Sequence, residues 1–304
     1  MFEKSAPTPL VPIHDELLEE KNIKLFLKRE DLIDPDISGN KWRKLKYNLI
    51  KAKEQDKEII LTFGGAYSNH IAATAAAAKR FGFQAIGVIR GEELNENSNP
   101  TLQKAHEDGM QLLFVSRADY MFRTSPHWLT MHQQEYSAFI IPEGGSNHLA
   151  LQGVKEILSE IDTPFDYITC PVGTGGTLAG LASGLQAHQK ALGFASLAGE
   201  DYLEKLVGQL LAPEFHERQA IVHDYDFGGY AKHTPKLIEF IQNFYDQHGI
   251  PLDPIYTGKM MYGLFDQIKK GKIEEGKTIV AVHTGGLQGI AGFNEQYGLN
   301  LRTI

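Results

Sequence analysis

Short runs of apolar residues recur along the chain and alternate with longer stretches of helical periodicity. Several short runs are continuously apolar, which is typical of parallel strands covered on both faces. The predicted strands span residues 24–27, 58–63, 85–90, 111–115, 138–141, 167–171 and 278–283. The helical patterns between them include residues 42–54, 71–81, 149–160 and 177–192. This alternation predicts an α/β fold with open, twisted, mostly parallel sheets and helices on both faces.

Paired glycines mark the ends of several predicted strands. The pairs stand at 64–65, 144–145, 175–176, 228–229 and 285–286, and four of the five follow a predicted strand. Glycine permits positive φ and a close approach of the backbone to a ligand. Open α/β sheets bind ligands at the carboxyl ends of their strands. A single pair could equally be ordinary turn chemistry, but four at equivalent positions favour one shared cleft.

The loop after predicted strand 167–171 reads GTGGTLAG at positions 173–180. Its successive backbone N–H groups, its hydroxyls and the start of the next helix form a cradle for an anion. The dinucleotide fingerprint needs a small residue at position 178, where this chain has leucine. A phosphate monoester therefore fits this loop better than NAD.

Residues 271–278 formally match the G-x-x-x-x-G-K-[ST] pattern of a nucleotide-binding loop. That motif should follow a strand and open a helix, whereas this stretch follows a helical pattern and opens the predicted strand 278–283. Glu274 and Glu275 would also place carboxylates where phosphates bind. We therefore interpret the stretch as an exposed turn.

A basic helical segment follows residue 39. Ser38 or Asn40 can cap a helix that starts near Lys41, which places Lys41 and Lys44 one turn apart on one face. The positive end of a helix disfavours an ammonium group, so the pKa of Lys41 should fall and its neutral amine could form a Schiff base. Taken alone, such a segment is more often a solvated basic helix face.

The segment Ser68-Asn69-His70 follows predicted strand 58–63 and opens an alanine-rich helix. Serine and asparagine are good helix caps. These residues also stand at the carboxyl edge of the predicted sheet, beside the presumed cleft.

Composition excludes several classes of protein. The chain has 304 residues, enough for two domains or one large one, and 42% hydrophobic with 22% charged residues excludes wholesale disorder. A net charge of −8 argues against bulk binding to nucleic acid or an anionic membrane. We find no membrane-spanning run, signal peptide or metal motif, and expect a cytoplasmic protein. The single cysteine, Cys170, excludes an intramolecular disulfide.

Five ordered motifs resemble those of the D-cysteine desulfhydrase and 1-aminocyclopropane-1-carboxylate (ACC) deaminase family, whose members depend on pyridoxal phosphate (PLP). They are SGNKxRKL at 38–45, SNH at 68–70, GTGGT at 173–177, DPIYTGK at 253–259 and HTGG at 283–286. The resemblance runs from residue 8 to about residue 286. It implies PLP fold type II, with a large cofactor-binding domain (1–51 plus 148–304) and a small α/β domain (52–147).

The resemblance also implies roles for individual residues. Lys41 would carry PLP and shuttle the α-proton, with Ser68, Tyr230 and Tyr256 as further catalytic groups. The other implied cofactor ligands are Lys44, Asn69 at the phenolic oxygen, Thr284 at the pyridine nitrogen, and the phosphate loop formed by Gly173, Thr174, Gly175, Gly176 and Thr177. The implied substrate-binding residues are Ser68, Asn69, His70 and Thr257.

The activity implied by the resemblance is that of a lyase or deaminase acting on a small amino acid. The α-proton would be removed, a β-substituent eliminated, and a 2-oxo acid and ammonia released. D-cysteine-like substrates are favoured because Thr257 stands where ACC deaminases carry glutamate. ACC deaminase is the alternative, and a non-catalytic PLP-binding protein is a further one. Tyr67 and residues 231–233 depart from the family pattern and leave the substrate open. The family also implies a homodimer.

Overall fold

The computed structural model describes residues 6–303, and its strands form two separate sheets. The strands are β1 (Leu10–Ile13), β2 (Lys24–Lys28), β3 (Ile59–Gly65), β4 (Gln84–Arg90), β5 (Met110–Val115), β6 (Phe139–Ile140), β7 (Tyr167–Val172), β8 (Lys190–Ala195), β9 (Gln219–Val222) and β10 (Thr278–Val282). The α-helices are α1 (Glu16–Glu20), α2 (Asn40–Glu54), α3 (Asn69–Phe81), α4 (Pro100–Glu107), α5 (Arg117–Tyr120), α6 (Pro126–Tyr136), α7 (His148–Lys155), α8 (Gly176–Ala182), α9 (Glu200–Leu210), α10 (Pro235–His248), α11 (Thr257–Lys269) and α12 (Gly289–Tyr297).

The larger sheet has the strand order β1-β2-β10-β7-β8-β9, and the smaller sheet has the order β5-β4-β3-β6. Neighbouring strands pair in parallel, except that β1 runs antiparallel to β2. The predicted α/β fold with mostly parallel sheets is therefore confirmed. A parallel pair needs a crossover connection, usually a helix, and this explains the alternation seen in the sequence.

Strand β10 shows how the larger sheet is covered on both faces. Ile279 and Ala281 belong to a buried apolar cluster that includes side chains of α10 and α11. Val280 and Val282 belong to a second cluster with side chains of α7 and α8. Successive residues of a strand point to opposite faces, so a continuously apolar strand is the pattern that two covered faces require.

Several predicted element boundaries are wrong. The helix predicted over 177–192 ends at Ala182. The last residues of that prediction belong to strand β8, in which Lys190 pairs with Tyr167 of β7. The helix predicted over 149–160 becomes α7 followed by a short 3₁₀ turn, Leu158–Glu160. In both cases the apolar pattern of the sequence does not fix where the helix ends. Strand pairing or packing in the folded chain sets that boundary.

Strand β3 extends to Gly65, so the first glycine pair lies inside the strand and not after it. The edge strands β1 and β9 lie outside the predicted strands. The interpretation of 271–278 as a turn is confirmed, since the stretch joins α11 to β10. Within residues 6–303, no helix is long and apolar enough to cross a membrane.

Candidate active site

A cavity of about 520 Å³ opens at the carboxyl ends of strands from both sheets. The smaller sheet contributes Gly65 and Arg90, at the ends of β3 and β4. The larger sheet contributes Gly173, just after β7, and Thr284, just after β10. The start of α2 supplies Lys41 and reaches the cavity as well. The sequence motifs, which are far apart along the chain, therefore converge on one site.

Helix α2 begins in a constrained turn beside Thr284. Gly39 has φ +67°, and a Cβ atom there would lie 2.0 Å from the Thr284 carbonyl oxygen, so this position requires glycine. The same carbonyl accepts a hydrogen bond from the Asn40 backbone N–H at 3.2 Å. The predicted side-chain cap by Ser38 or Asn40 is wrong, because Gly39 is the N-cap and no side chain bonds to it.

Asn40 instead links the predicted cofactor lysine to the glycine loop. Its Oδ1 accepts from Lys41 Nζ at 2.8 Å, and its Nδ2 donates to Thr177 Oγ1 at 2.7 Å. Burial lowers the pKa of Lys41 to about 8, while the carboxylate of Asp253 opposes the shift. The direction agrees with the prediction, but loss of hydration is the main cause. With this pKa, about a tenth of Lys41 is a neutral amine at pH 7.

Lys44 lies one turn further along α2 and points at the glycine loop. Its Nζ donates to the Gly144 carbonyl at 2.8 Å, to Ser146 Oγ at 2.9 Å and to Thr174 Oγ1 at 3.4 Å. Burial, with the nearby charge of Lys41, lowers the pKa of Lys44 well below its ordinary value. An anion bound in this loop would oppose that shift. Ser146 is a part of this cluster that the sequence analysis missed.

The segment Ser68-Asn69-His70 turns from β3 into α3 at the cavity wall. Ser68 caps the helix by accepting from the backbone N–H of Ile71 at 3.3 Å. Asn69 Oδ1 accepts from Gln288 Nε2 at 2.5 Å. Its Nδ2 donates to no residue within 6–303 and stays available to a ligand.

His70 is 2% exposed and neutral, because burial and the charges of Lys41 and Lys44 lower its pKa well below the ordinary value. Its Nε2 lies 2.7 Å from Thr62 Oγ1, and that hydroxyl donates to the Ile141 carbonyl. Nε2 is therefore the donor, which leaves Nδ1 as an acceptor. Nδ1 has no partner in the described structure.

Two tyrosines from the larger sheet's side complete the wall. The rings of Tyr230 and Tyr256 meet edge to face, with centroids 6.4 Å apart. Tyr256 also packs on the glycine loop, where a Cβ on Gly173 would lie 3.3 Å from its ring. Burial raises the pKa of Tyr230 to about 12 and raises the pKa of Tyr256 well above its ordinary value. Both phenols therefore keep their protons at neutral pH.

Two predicted site residues, Thr257 and Gly176, do not line the cavity of the described chain. Thr257 is fully buried; its hydroxyl donates to Asp253 Oδ2 at 2.6 Å and accepts from the Asp253 backbone N–H at 2.9 Å. Gly176 lies in the wall behind the loop, where a Cβ would meet Ser146 and Lys44.

A ring of charged and aromatic residues surrounds the cavity mouth and was not predicted. It comprises Arg90, Glu93, Arg117, Arg123, Glu143 and Tyr202, and Tyr67 also lines the cavity. Only Tyr67 had been noted from the sequence, as a departure from the family pattern. The described residues contain no group of three or more His, Cys, Asp or Glu side chains arranged to hold a metal ion.

Comparison with known families matches residues 2–285 to the model described as "Pyridoxal-phosphate dependent enzyme". The chain belongs to this family. A protein of Pyrococcus horikoshii named putative 1-aminocyclopropane-1-carboxylate deaminase is 33% identical, over 90% of this chain and 87% of the relative. A D-cysteine desulfhydrase of Klebsiella pneumoniae is 29% identical, over 95% of this chain and 94% of the relative.

Among solved structures, a crystal structure of an ACC deaminase homologue superposes with a TM-score of 0.81 at 30% identity, covering 96% of this chain and 93% of that one. The fold is therefore that of the fold type II PLP enzymes, as predicted.

The residues present fit PLP. The Lys44 amine and the hydroxyls of Ser146 and Thr174 converge at the glycine loop, and a bound phosphate would favour the ammonium form of Lys44. A partly neutral lysine stands beside the loop. The amide of Asn69 and the ring of His70 each keep one polar atom free at the cavity wall. PLP supplies an electron sink for charge that develops at the substrate's Cα.

The lowered pKa of Lys41 gives a pH-dependence for cofactor loading. Only the neutral amine attacks the PLP aldehyde, so the rate of covalent attachment to the cofactor-free protein should rise about tenfold per pH unit below 8 and level off above it. Stopped-flow absorbance after mixing with PLP measures this rate. Nα-acetyl-lysine is the control, and its rate should keep rising to about pH 10. A protein profile that follows this control would contradict the lowered pKa.

Proposed function

We propose that the protein is a PLP-dependent lyase that eliminates a β-substituent from a small amino acid and releases a 2-oxo acid and ammonia. One observation carries the proposal. A single cavity is lined by an amine of lowered pKa at Lys41, by the glycine loop, and by the hydroxyl groups of Ser68, Tyr230 and Tyr256.

In the proposed reaction, Lys41 both carries the cofactor and takes the α-proton. A neutral amine can accept that proton, and a pKa near 8 is suited to general base work at neutral pH. Ser68, at the start of α3, is proposed to bind the α-carboxylate. Thr284 is proposed to face the pyridine nitrogen, and its hydroxyl, unlike a carboxylate, would not favour a proton there.

The two phenols are proposed to serve the leaving group. Tyr230 and Tyr256 keep their protons at neutral pH. A protonated phenol can hydrogen-bond to a leaving thiolate or transfer a proton to it as the Cβ–S bond breaks. Partial burial of the Tyr256 ring would strengthen that interaction by reducing its contact with water.

D-cysteine-like substrates are the first candidates, with ACC as the alternative, because related proteins carry both activities in their names. The observation that favours elimination over ring opening is at residue 257. A buried threonine bonded to Asp253 stands there, and it brings no carboxylate to the cavity.

Product analysis with the PLP-loaded protein tests this function. We expect pyruvate from D-cysteine and no 2-oxobutyrate from ACC. L-cysteine is the stereochemical control. Release of 2-oxobutyrate instead would support the alternative. A protein that gains no cofactor absorbance with added PLP and forms neither product would overturn the proposal.

We also propose a cytoplasmic homodimer, as the family resemblance implies. We further propose, as the resemblance also implies, that the chain divides into a large domain of residues 1–51 and 148–304 and a small domain of residues 52–147. The two sheets support this division, because the strands of the smaller sheet all lie between residues 59 and 140.

A further inference from the structure

The rim of the cavity carries three arginines, and they differ in what they bind. Arg117 forms a two-pronged pair with Glu93, with distances of 3.0 and 2.5 Å. Arg123 pairs with Glu143 at 2.6 Å, and Tyr120 donates to the other oxygen of Glu143 at 2.8 Å. The side chain of Arg90 has no hydrogen bond or ion pair to any described residue. Its guanidinium is therefore the rim arginine that remains available to a ligand.

Arg90 is placed by the sheet itself. It is the last residue of β4 and pairs in register with Gly65 at the end of β3. A Cβ on Gly65 would lie 3.7 Å from Arg90 Nη2, an ordinary van der Waals distance, so the guanidinium lies against the end of β3.

The Arg90 charge lies between the two sides of the cavity mouth. Its guanidinium carbon is 5.9 Å from the centre of the Tyr120 ring, on the smaller sheet's side. The same charge acts on Tyr230 across the cavity and partly offsets the rise in that pKa. Glu143 is bonded to Tyr120 through one carboxylate oxygen and to Arg123 through the other, and it forms no ion pair with Arg90 in the described structure.

The geometry assigns Arg90 to an anionic group on the substrate, at the far end of its β-substituent. This inference rests on the proposed function. A substrate held at Lys41, with its α-carboxylate at Ser68, would point its side chain toward the mouth, where Arg90 stands. A guanidinium binds a carboxylate through two parallel N–H···O bonds, which gives both affinity and orientation. We therefore infer a preference for β-substituted amino acids with an acidic side chain.

S-carboxymethylcysteine represents this substrate class. Elimination breaks the Cα–H bond and the Cβ–S bond, and sulfur leaves with the bonding electron pair and then gains a proton. One water is consumed when the remaining three-carbon fragment is hydrolysed. The products are pyruvate, ammonia and thioglycolate, with no net oxidation or reduction. The neutral amide, S-carbamoylmethylcysteine, undergoes the same reaction and is nearly identical in shape.

The test compares kcat/KM for the acid and its amide, as D and L forms, in PLP-loaded wild-type protein and in Arg90→Gln. In the wild type, the acid should react faster than the amide. Arg90→Gln should lower the acid-to-amide ratio about 10- to 100-fold, because a hydrogen bond to a charged group is lost, and leave the amide unchanged. Arg90→Lys should restore part of the ratio. Arg117→Gln is the matched control and should keep it, since its guanidinium is bound to Glu93.

Several results would overturn the inference: a wild-type ratio of one or less, an equal fall for acid and amide, or an equal effect of Arg117→Gln. β-Chloroalanine separates this failure from that of the proposed function, since its neutral side chain does not need Arg90. If β-chloroalanine is turned over but the acid is not preferred to the amide, the role of Arg90 is rejected and the proposed lyase function stands. If no compound reacts, the melting temperature of the protein with each compound provides the test. A melting temperature that rises with the acid but not with the amide, and that no longer rises in Arg90→Gln, supports binding by Arg90. Equal shifts with acid and amide reject binding by Arg90.

Discussion

Replacing Lys41 by alanine is expected to lower the rate of β-elimination by about 10²- to 10⁴-fold, the usual contribution of a positioned general base. The variant also loses the amine that attaches the cofactor. Borohydride should therefore fix PLP to the wild-type protein and not to Lys41→Ala. Burial lowers the pKa of this amine to about 8. Pyruvate release and the mass of the reduced peptide measure the two effects.

Lys51→Ala is the matched control for this experiment. Lys51 lies on the same helix, but it is solvent-exposed and pairs with Glu54 at 3.0 Å. We expect its kcat/KM within about twofold of wild type, because surface ion pairs contribute little. Retention of full activity by Lys41→Ala, or fixation of PLP at another lysine, would contradict the assignment of Lys41.

Replacing Arg43 by methionine is expected to lower the free energy of unfolding by about 3–5 kcal/mol, as is typical when a buried ion pair loses one partner. Arg43 is 1% exposed and binds Glu30 at 2.9 Å and Glu160 at 2.8 Å. Lys28 reaches the same oxygen of Glu160 at 2.7 Å, and Thr8 donates to Glu30 at 2.6 Å. Without the guanidinium, Glu160 keeps Lys28, but buried Glu30 keeps only the Thr8 hydroxyl, and methionine offers no hydrogen bond.

Urea unfolding followed by circular dichroism measures this loss, and Arg80→Met is its control. Arg80 also pairs with carboxylates, those of Asp34 and Asp36, but its side chain is 38% exposed. Its replacement should cost about 0–1 kcal/mol. Equal losses in the two variants would show that burial does not set the strength of the Arg43 network.

The sequence was sufficient for the fold class and for many of the strands, because continuous apolar runs between helical patterns leave few alternatives. It was insufficient at β8, where Lys190–Ala195 extends an apparent helix pattern and becomes a strand through pairing with β7 and β9. It also missed β1 and β9, which lie at the two edges of the larger sheet. These edge strands are only partly buried, so they lack the continuous apolar run that reveals the central strands.

The site, like the fold, could be predicted from the sequence only in part. Lys41, Lys44 and the glycine loop could be located because the chemistry of a phosphate cradle requires certain residue types at fixed spacing. The bridge from Asn40 to Thr177 could not, since it joins residues 137 positions apart. Thr257 shows the opposite error, as motif membership suggested a substrate contact and the structure places it against Asp253. Arg90 belongs to no recognisable sequence motif. It is available to a ligand because Arg117 and Arg123, but not Arg90, pair with carboxylates, and the sequence does not show this.

The residues proposed for the chemistry and the charged residues at the cavity mouth lie mostly on different sheets. The amine, the glycine loop and both tyrosines lie on α2 or on the larger sheet's side, whereas Arg90, Arg117 and Glu143 follow β4, β5 and β6 of the smaller sheet. Ser68 and Asn69 also follow a strand of the smaller sheet, so we expect mutations at the ends of β4, β5 and β6, but not after β3, to change substrate preference and spare the proposed catalytic groups. Libraries randomised at those three strand ends are the natural starting point for redirecting this enzyme toward new amino acids.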